Sequence, residues 1–292
     1  MKPATFDYVA VTDLDEALEA LASDEEARIL AGGQSLVPLM NHRLARPSLL
    51  VDLNRLSALD VVEVDEEWVR LGALCRHRRL ERDPQVAEVS PLLAEAAGHI
   101  AHPQIRSRGT LGGSIAHGDP AAELPAALIA LGASVRLRDG DGEREVAATD
   151  LFEGFFSTAI EPGEVVVDVS VPRVHPGDGT AFAEVAPRRG DFATAGVGVV
   201  LRRDADGRCT DARAGGCALA SVPVGLTAAL EPMIGSDSLS EGVLREMAER
   251  VVDSFEPVAD AHVSAEDRLE LAQLLLVETV RVAWERSGGT LG

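Results

Sequence analysis

Two short segments carry the residue types best suited to holding an anion. They are Ala31-Gly32-Gly33-Gln34-Ser35-Leu36 and Gly109-Thr110-Leu111-Gly112-Gly113-Ser114. Adjacent glycines let a backbone turn tightly and approach an anion with no Cβ in the way. After the first segment a helix is expected, whose first N–H groups are unpaired and carry partial positive charge. Ser35 adds a hydroxyl, and Thr110 and Ser114 flank the second segment. Each segment alone also reads as a tight turn that uses glycine only for geometry. Two of them together suggest a diphosphate. No lysine lies nearby, so backbone amides would have to supply the donors. Neither segment is a Gly-x-x-x-x-Gly-Lys-Ser/Thr or a Gly-x-Gly-x-x-Gly pattern, so the fold is neither a P-loop nor a Rossmann fold.

Other polar residues near the second segment have plainer readings. Arg106 and Arg108 either add positive field or are solvated surface charges, and the second is the simpler reading. His99 and His102 have a helical metal spacing, with His117 and Asp119 downstream, but no Cys or Glu completes a zinc pattern. Ser114, His117 and Asp119 lie too close in one short stretch to act as nucleophile, base and orienter. The acidic run 63–67 is a solvated strand end and turn.

The elements that must position the two segments follow from periodicity. Apolar residues at Leu14, Ala17, Leu18 and Leu21 mark a helix after Thr12 or Asp13. Arg28–Ala31 is a strand running into Gly32, Ser35–Met40 a helix, and Leu49–Leu53 a second strand. The opening is thus β-α-β-like. Strands are expected at Trp68–Ala73, Ser134–Arg138 and Glu164–Val171, with a hairpin turn at 139–142. Helices are expected at Pro91–Ala97 and Leu124–Leu131. The Pro- and Gly-rich stretch 172–179 is the best candidate boundary. Beyond it come strands at Gly196–Arg202 and Ala212–Leu219, and helices at Leu239–Phe255 and Ala265–Arg286. The C-terminal third is α+β.

Composition narrows the function. With 292 residues, two or three domains are expected. The charge of −21 argues against nucleic acid as a partner. No apolar run approaches the ~20 residues of a membrane span, and no signal peptide is read at the start, so a cytoplasmic location is expected. Cys75, Cys209 and Cys217 are scattered and cannot supply the four thiolates of a usual iron–sulfur cluster.

Three stretches resemble one family. Residues 31–53 (AGGQSLVPLMNHRLARPSLLVDL), 100–131 (IAHPQIRSRGTLGGSIAHGDPAAELPAALIAL) and 182–196 (FAEVAPRRGDFATAG) closely resemble the FAD-binding medium subunits of the molybdenum hydroxylases. These include aerobic carbon monoxide dehydrogenase and xanthine dehydrogenase. The resemblance implies an α+β fold: a PCMH-type FAD domain of two subdomains, about 1–56 and 57–175, and a C-terminal α+β domain over 180–292. It implies FAD as cofactor, bound by Leu30, Ala31, Gly32, Gly33, Gln34, Ser35 and Leu36 and by Gly109, Thr110, Leu111, Gly112, Gly113 and Ser114. Ala101 and His117 border that site by the same resemblance.

It further places Glu123 near the flavin's pyrimidine edge, where relatives more often have Asp. A carboxylate at a helix start is the alternative reading of Glu123. Val165 and Val166 match apolar residues near the flavin, though strand valines are usually plain core. Phe192 stands where some relatives have Tyr, and Pro187 where Arg is frequent. No catalytic side chain and no metal ligand are expected on this chain. The implied role is electron transfer inside a complex. A large subunit would hold the molybdenum cofactor and a small subunit the 2Fe–2S clusters. The FAD would pass electrons to NAD, a quinone or oxygen. A stand-alone flavoprotein of the same fold, an oxidase or a cyclase using FAD as scaffold, is the alternative.

Overall fold

The computed structural model describes residues 2–289, so Met1 and residues 290–292 of the expected domain ranges lie outside it. The chain opens with a small parallel sheet built from β1 (Asp7–Ala10), β2 (Arg28–Leu30) and β3 (Leu49–Asp52), in the order β1-β3-β2. Helix α1 (Leu14–Ala22) and helix α2 (Leu36–Asn41) make the two crossovers that parallel strands need. Asp13 caps α1 by accepting from the Glu16 amide at 2.8 Å. Ala17 and Leu18 turn inward onto Val11, Val51 and Leu53.

A five-stranded antiparallel sheet follows. It uses β4 (Val62–Val64) and β5 (Trp68–Gly72) on one side of a long helical excursion. On the other side come β6 (Ser134–Arg138), β7 (Glu143–Ala147) and, after the short hairpin β8 (Phe152–Gly154)–β9 (Ser157–Thr158), β10 (Val165–Pro172). The order is β4-β5-β10-β6-β7. The excursion holds α3 (His77–Arg82), α4 (Pro84–Val89), α5 (Pro91–His99), α6 (Pro103–Arg106), α7 (Leu111–His117) and α8 (Glu123–Leu131). All nine residues of α8 are buried, as expected of a helix that is apolar on every side after its first residue, Glu123.

The C-terminal part is a four-stranded antiparallel sheet of β11 (Asp178–Val185), β12 (Ala195–Arg203), β13 (Cys209–Cys217) and β14 (Val224–Gly225). Helices α9 (Glu241–Arg250) and α10 (Ala265–Arg286) complete it, with α10 packed on β11 and β12. On the opposite face of this sheet lie α5 and α8.

Most expected elements form, with three differences. The segment after Thr110 is helical rather than a loop: Thr110 caps α7, and Gly112 and Gly113 lie in its first turn. The expected helix at 239–255 is shorter, because Ser240 caps it and the chain tightens into a 3-10 turn at Val251–Asp253. Strand β11 has no alternating signature. Both of its faces are covered, so Ala181 enters one core and its neighbour Phe182 the other.

Candidate functional site

The first glycine segment leaves the end of β2, and the second begins α7 beside the end of β5. They therefore lie beside different sheets. The structure brings them into contact. A Cβ built on Gly32 would strike the Arg108 carbonyl oxygen and lie 2.8 Å from the Gly109 Cα. Only glycine permits that approach. Gly33 has φ of +70°, the left-handed turn that aims the chain into α2.

The donor inventories of the two segments differ. Among the described residues, the amides from Gly32 through Leu36 donate to no acceptor within the chain. Nor does the Ser35 hydroxyl. Five consecutive peptide N–H groups are thus left for a ligand, as an anion cradle requires. In the second segment every amide but that of Thr110 is already used, Gly109 donating to Ile105 O at 2.7 Å. Leu111 donates to Cys75 O at 2.9 Å, Gly112 to Ala73 O at 2.8 Å, Gly113 to Thr110 Oγ1 at 3.2 Å and Ser114 to Thr110 O at 3.0 Å. The glycines there serve close packing. A Cβ on Gly112 would come 2.6 Å from the Ala73 Cβ, and one on Gly109 would come 2.7 Å from His77 Nδ1.

Three residues that the sequence reading did not single out hold this arrangement. Asn54 donates to Ala31 O at 2.9 Å and receives Arg76 Nη2 at 2.6 Å, while Arg76 Nη1 donates to Arg108 O. His77 is buried, its ring bonded to Thr110 O at 2.9 Å and its amide to Gly109 O at 3.0 Å. Burial lowers the His77 pKa to about 4, so the ring is neutral at pH 7 and donates from Nε2. Arg76, His77, Arg78 and Arg79 form a cationic run that resembles a solvated surface in the sequence. Asn54 sits just past an expected strand. Neither place carries a sequence signal of its own.

Arg106 departs from the surface reading. Only 6% exposed, it makes a two-pronged pair with Glu81 at 2.9 and 3.1 Å, and it donates to the carbonyls of Ile100 and Ala101. That grip holds Ala101 at φ of +41°, a strained conformation for a residue with a Cβ. Arg108 is exposed.

The remaining expected site residues are carried by several other elements. Glu123 begins α8 and is 7% exposed. Burial, reinforced by nearby Glu184, pushes its carboxyl up to about 8, so it is largely protonated at neutral pH. Glu184 pairs with His99 Nδ1 at 3.2 Å across the junction of α5 and β11. Phe192 is 76% exposed, on the turn between β11 and β12. Gly190 of that turn lies against His102, and a Cβ there would come 2.9 Å from Ala101 O. His117 is half-buried with its ring 4.9 Å from that of Phe156. Val165 and Val166 are both buried, Val165 in the N-terminal core and Val166 in the central one. No hydrogen bond within the described residues joins Glu123 or Phe192 to the glycine segments.

Residues 4–174 match the family of the FAD binding domain in molybdopterin dehydrogenase. Residues 180–283 match the CO dehydrogenase flavoprotein C-terminal domain. The chain is a flavin-dependent oxidoreductase subunit with an FAD-binding domain. The 6-hydroxypseudooxynicotine dehydrogenase complex subunit alpha of Paenarthrobacter nicotinovorans is 40% identical, over 99% of this chain and 98% of its own. The carbon monoxide dehydrogenase medium chain of Hydrogenophaga pseudoflava is 34% identical, over 98% of this chain and 99% of its own. The solved carbon monoxide dehydrogenase of the latter organism superposes with a TM-score of 0.94 at 35% identity, covering 98% of this chain and 99% of that one. This chain belongs to the family of FAD-binding medium subunits of the molybdenum hydroxylases. The fold is that family's: an FAD-binding domain followed by the flavoprotein C-terminal domain.

Proposed function

We infer that this chain is the electron-transfer subunit of a three-chain molybdenum hydroxylase, its FAD held at the paired glycine segments. A large subunit carries the molybdenum cofactor, and a small subunit carries 2Fe–2S clusters that feed electrons to the flavin. NAD, a quinone or oxygen then removes them. The observation that carries the site is the row of unengaged amides from Gly32 to Leu36, packed against the second segment through Gly32 and Gly109. A diphosphate needs many donors at close range, and this row supplies them with no Cβ in the way at Gly32 or Gly33.

FAD, when bound, supplies the redox chemistry, taking electrons singly or in pairs. The chain supplies the rest. Gly32 to Leu36 bind the diphosphate, and Ser35 and Ser114 offer hydroxyls beside it. His77, neutral and buried, fixes the Thr110 carbonyl and so the start of α7. Glu123 is a protonated carboxyl able to donate at the ring of the cofactor, in keeping with the place the family gives it. The three cysteines are buried thiols, which agrees with clusters residing on another chain.

Co-expression with a molybdenum-binding chain and a two-cluster chain from the same source tests the reading. A stable complex of three chains with one flavin per copy is expected. A lone flavoprotein that turns over substrate without partners would overturn it in favour of the stand-alone alternative. Reduction of the bound flavin by NADH would assign the acceptor.

A further inference from the structure

The two glycine segments lie beside separate sheets, one after β2 and one at the start of α7, so something must set their register before any ligand arrives. Close packing of Gly32 on Gly109 does part of this. The rest is a chain of hydrogen bonds crossing between the sheets. Tyr8 on β1 donates to Asp52 Oδ2 at 2.6 Å. The other oxygen of Asp52 receives the Asn54 amide at 2.8 Å and Asn54 Nδ2 at 2.5 Å. The same Nδ2 reaches the Ala31 carbonyl, and Asn54 Oδ1 receives Arg76, whose other nitrogen reaches the Arg108 carbonyl. One end of this chain thus holds the residue before Gly32, and the other end holds the residue before Gly109.

The chemistry of each member fits only this arrangement. Asn54 must be an amide. Its nitrogen faces two acceptors, Ala31 O and Asp52 Oδ1, while its oxygen faces a guanidinium. Arg76 must be a fork, because it spans a side-chain oxygen and a backbone carbonyl with two different nitrogens. Arg76 is half-buried, and its charge has no carboxylate within ion-pair distance among the described residues. Burial, and then the neighbouring Arg108 cation, lower its pKa. Arg76, whose carbonyl partner Arg108 O lies against Gly32, is thus a half-buried cation that an anion at the amide row would favour.

We propose that Asn54 and Arg76 are positioning residues for the cofactor: they clamp the two glycine segments in the register that presents the Gly32–Leu36 amides to the diphosphate. The proposal rests on the flavin reading above. It predicts that clamp and ligand stabilise one another. Without the clamp the full chain still folds, but FAD binds weakly and is held loosely.

The test is FAD titration of the full-length apoprotein, followed by quenching of flavin fluorescence, for wild type, N54A, N54D, R76M, R76K and the double variant N54A/R76M. Each single variant should bind about tenfold more weakly, the scale of a lost bond to a charged group. The double variant should be little weaker than the singles, because both act through one link. N54D keeps a partner for Arg76 yet repels Ala31 O, so it should be no better than N54A. R76K keeps the charge but not the fork, so it should resemble R76M. At saturating FAD the visible flavin bands of the variants should lose fine structure, while the thermal midpoint of the apoprotein stays near wild type. Wild-type affinity in R76K would overturn the clamp in favour of charge alone. Additive losses in the double variant, or apoprotein midpoints that fall in step with affinity, would also overturn it. A wild-type chain that takes up no FAD would overturn the flavin reading instead.

Discussion

Gly32 lies on the backbone of Gly109, close enough that a Cβ at position 32 would come 2.8 Å from the Gly109 Cα. The contact joins the end of β2 to the start of α7 with no side chain between. Substitution Gly32→Ala should therefore push the two segments apart rather than merely crowd a ligand. The expected result is FAD affinity lowered at least tenfold, with a fall of a few degrees in the thermal midpoint. Isothermal titration and a thermal melt of the same sample check both. Unchanged affinity would mean that the contact does not shape the site.

Gly112 has a different job. Its added methyl would meet Ala73 Cβ at 2.6 Å and Ala73 O at 3.0 Å, so Gly112→Ala should loosen α7 from β5. A destabilisation of about 1–3 kcal/mol is the usual scale for overpacking. Ala73→Gly in the same chain should recover part of it, because the nearest of those contacts disappears. Urea unfolding of the two single variants and the double variant measures the recovery. A simple sum of the two single losses would show that Ala73 is not the obstacle.

His77 makes stability depend on pH in the acid range. The ring stays neutral in the folded state until about pH 4, whereas a solvated histidine protonates near 6.5. As pH falls through that window the unfolded chain takes up the proton first, so folding stability drops. Above the window the contribution is fully present. His77→Gln keeps a donor toward Thr110 O and should flatten the dependence between pH 6.5 and 4. Denaturant midpoints across that range decide the matter, and an unchanged slope in the variant would refute it.

Glu123 works in the opposite direction. Its folded pKa of about 8 lies above the solvated value of 4.5, so the folded chain holds a proton that the unfolded one has lost. Its contribution is complete below pH 4.5 and fades as pH rises through 8. Glu123→Gln should be more stable than wild type at pH 9 and similar at pH 4. The protonated carboxyl should also give an infrared carbonyl band at pH 7 that the variant lacks. Absence of that band in wild type would place the proton elsewhere.

Much of this site was legible in the sequence, and the reasons differ by residue. Gly32 and Gly33 announce a turn because adjacent glycines have few other uses after an apolar strand. Thr110 through Ser114 gave the same signal for another cause, since Gly109 and Gly112 make room for His77 and Ala73. A glycine that makes room for a neighbour and a glycine beside a row of unengaged amides look alike in a string of letters. Arg106 read as surface because arginine is mostly exposed. Its partner Glu81 is 25 positions away and invisible to local pattern. Asn54 and Arg76 were missed for the same reason: their roles are set by a contact between sheets. Strand β11 lacked alternation because helices cover both of its faces.

Helix α8 carries one more consequence. Its nine residues are all buried, and it packs on the C-terminal strands β12 and β13 as well as on α5 and α7. Leu124, Ala126, Ala127 and Leu128 share one core with Phe182, Val200 and Cys217. An apolar rod embedded in two neighbours at once leaves no seam along which they can part. The chain should melt as a single cooperative unit, with no plateau between two transitions. A gene truncated after residue 175 should yield aggregates rather than a smaller flavoprotein, because cutting there strips the cover from α8 and exposes it to water.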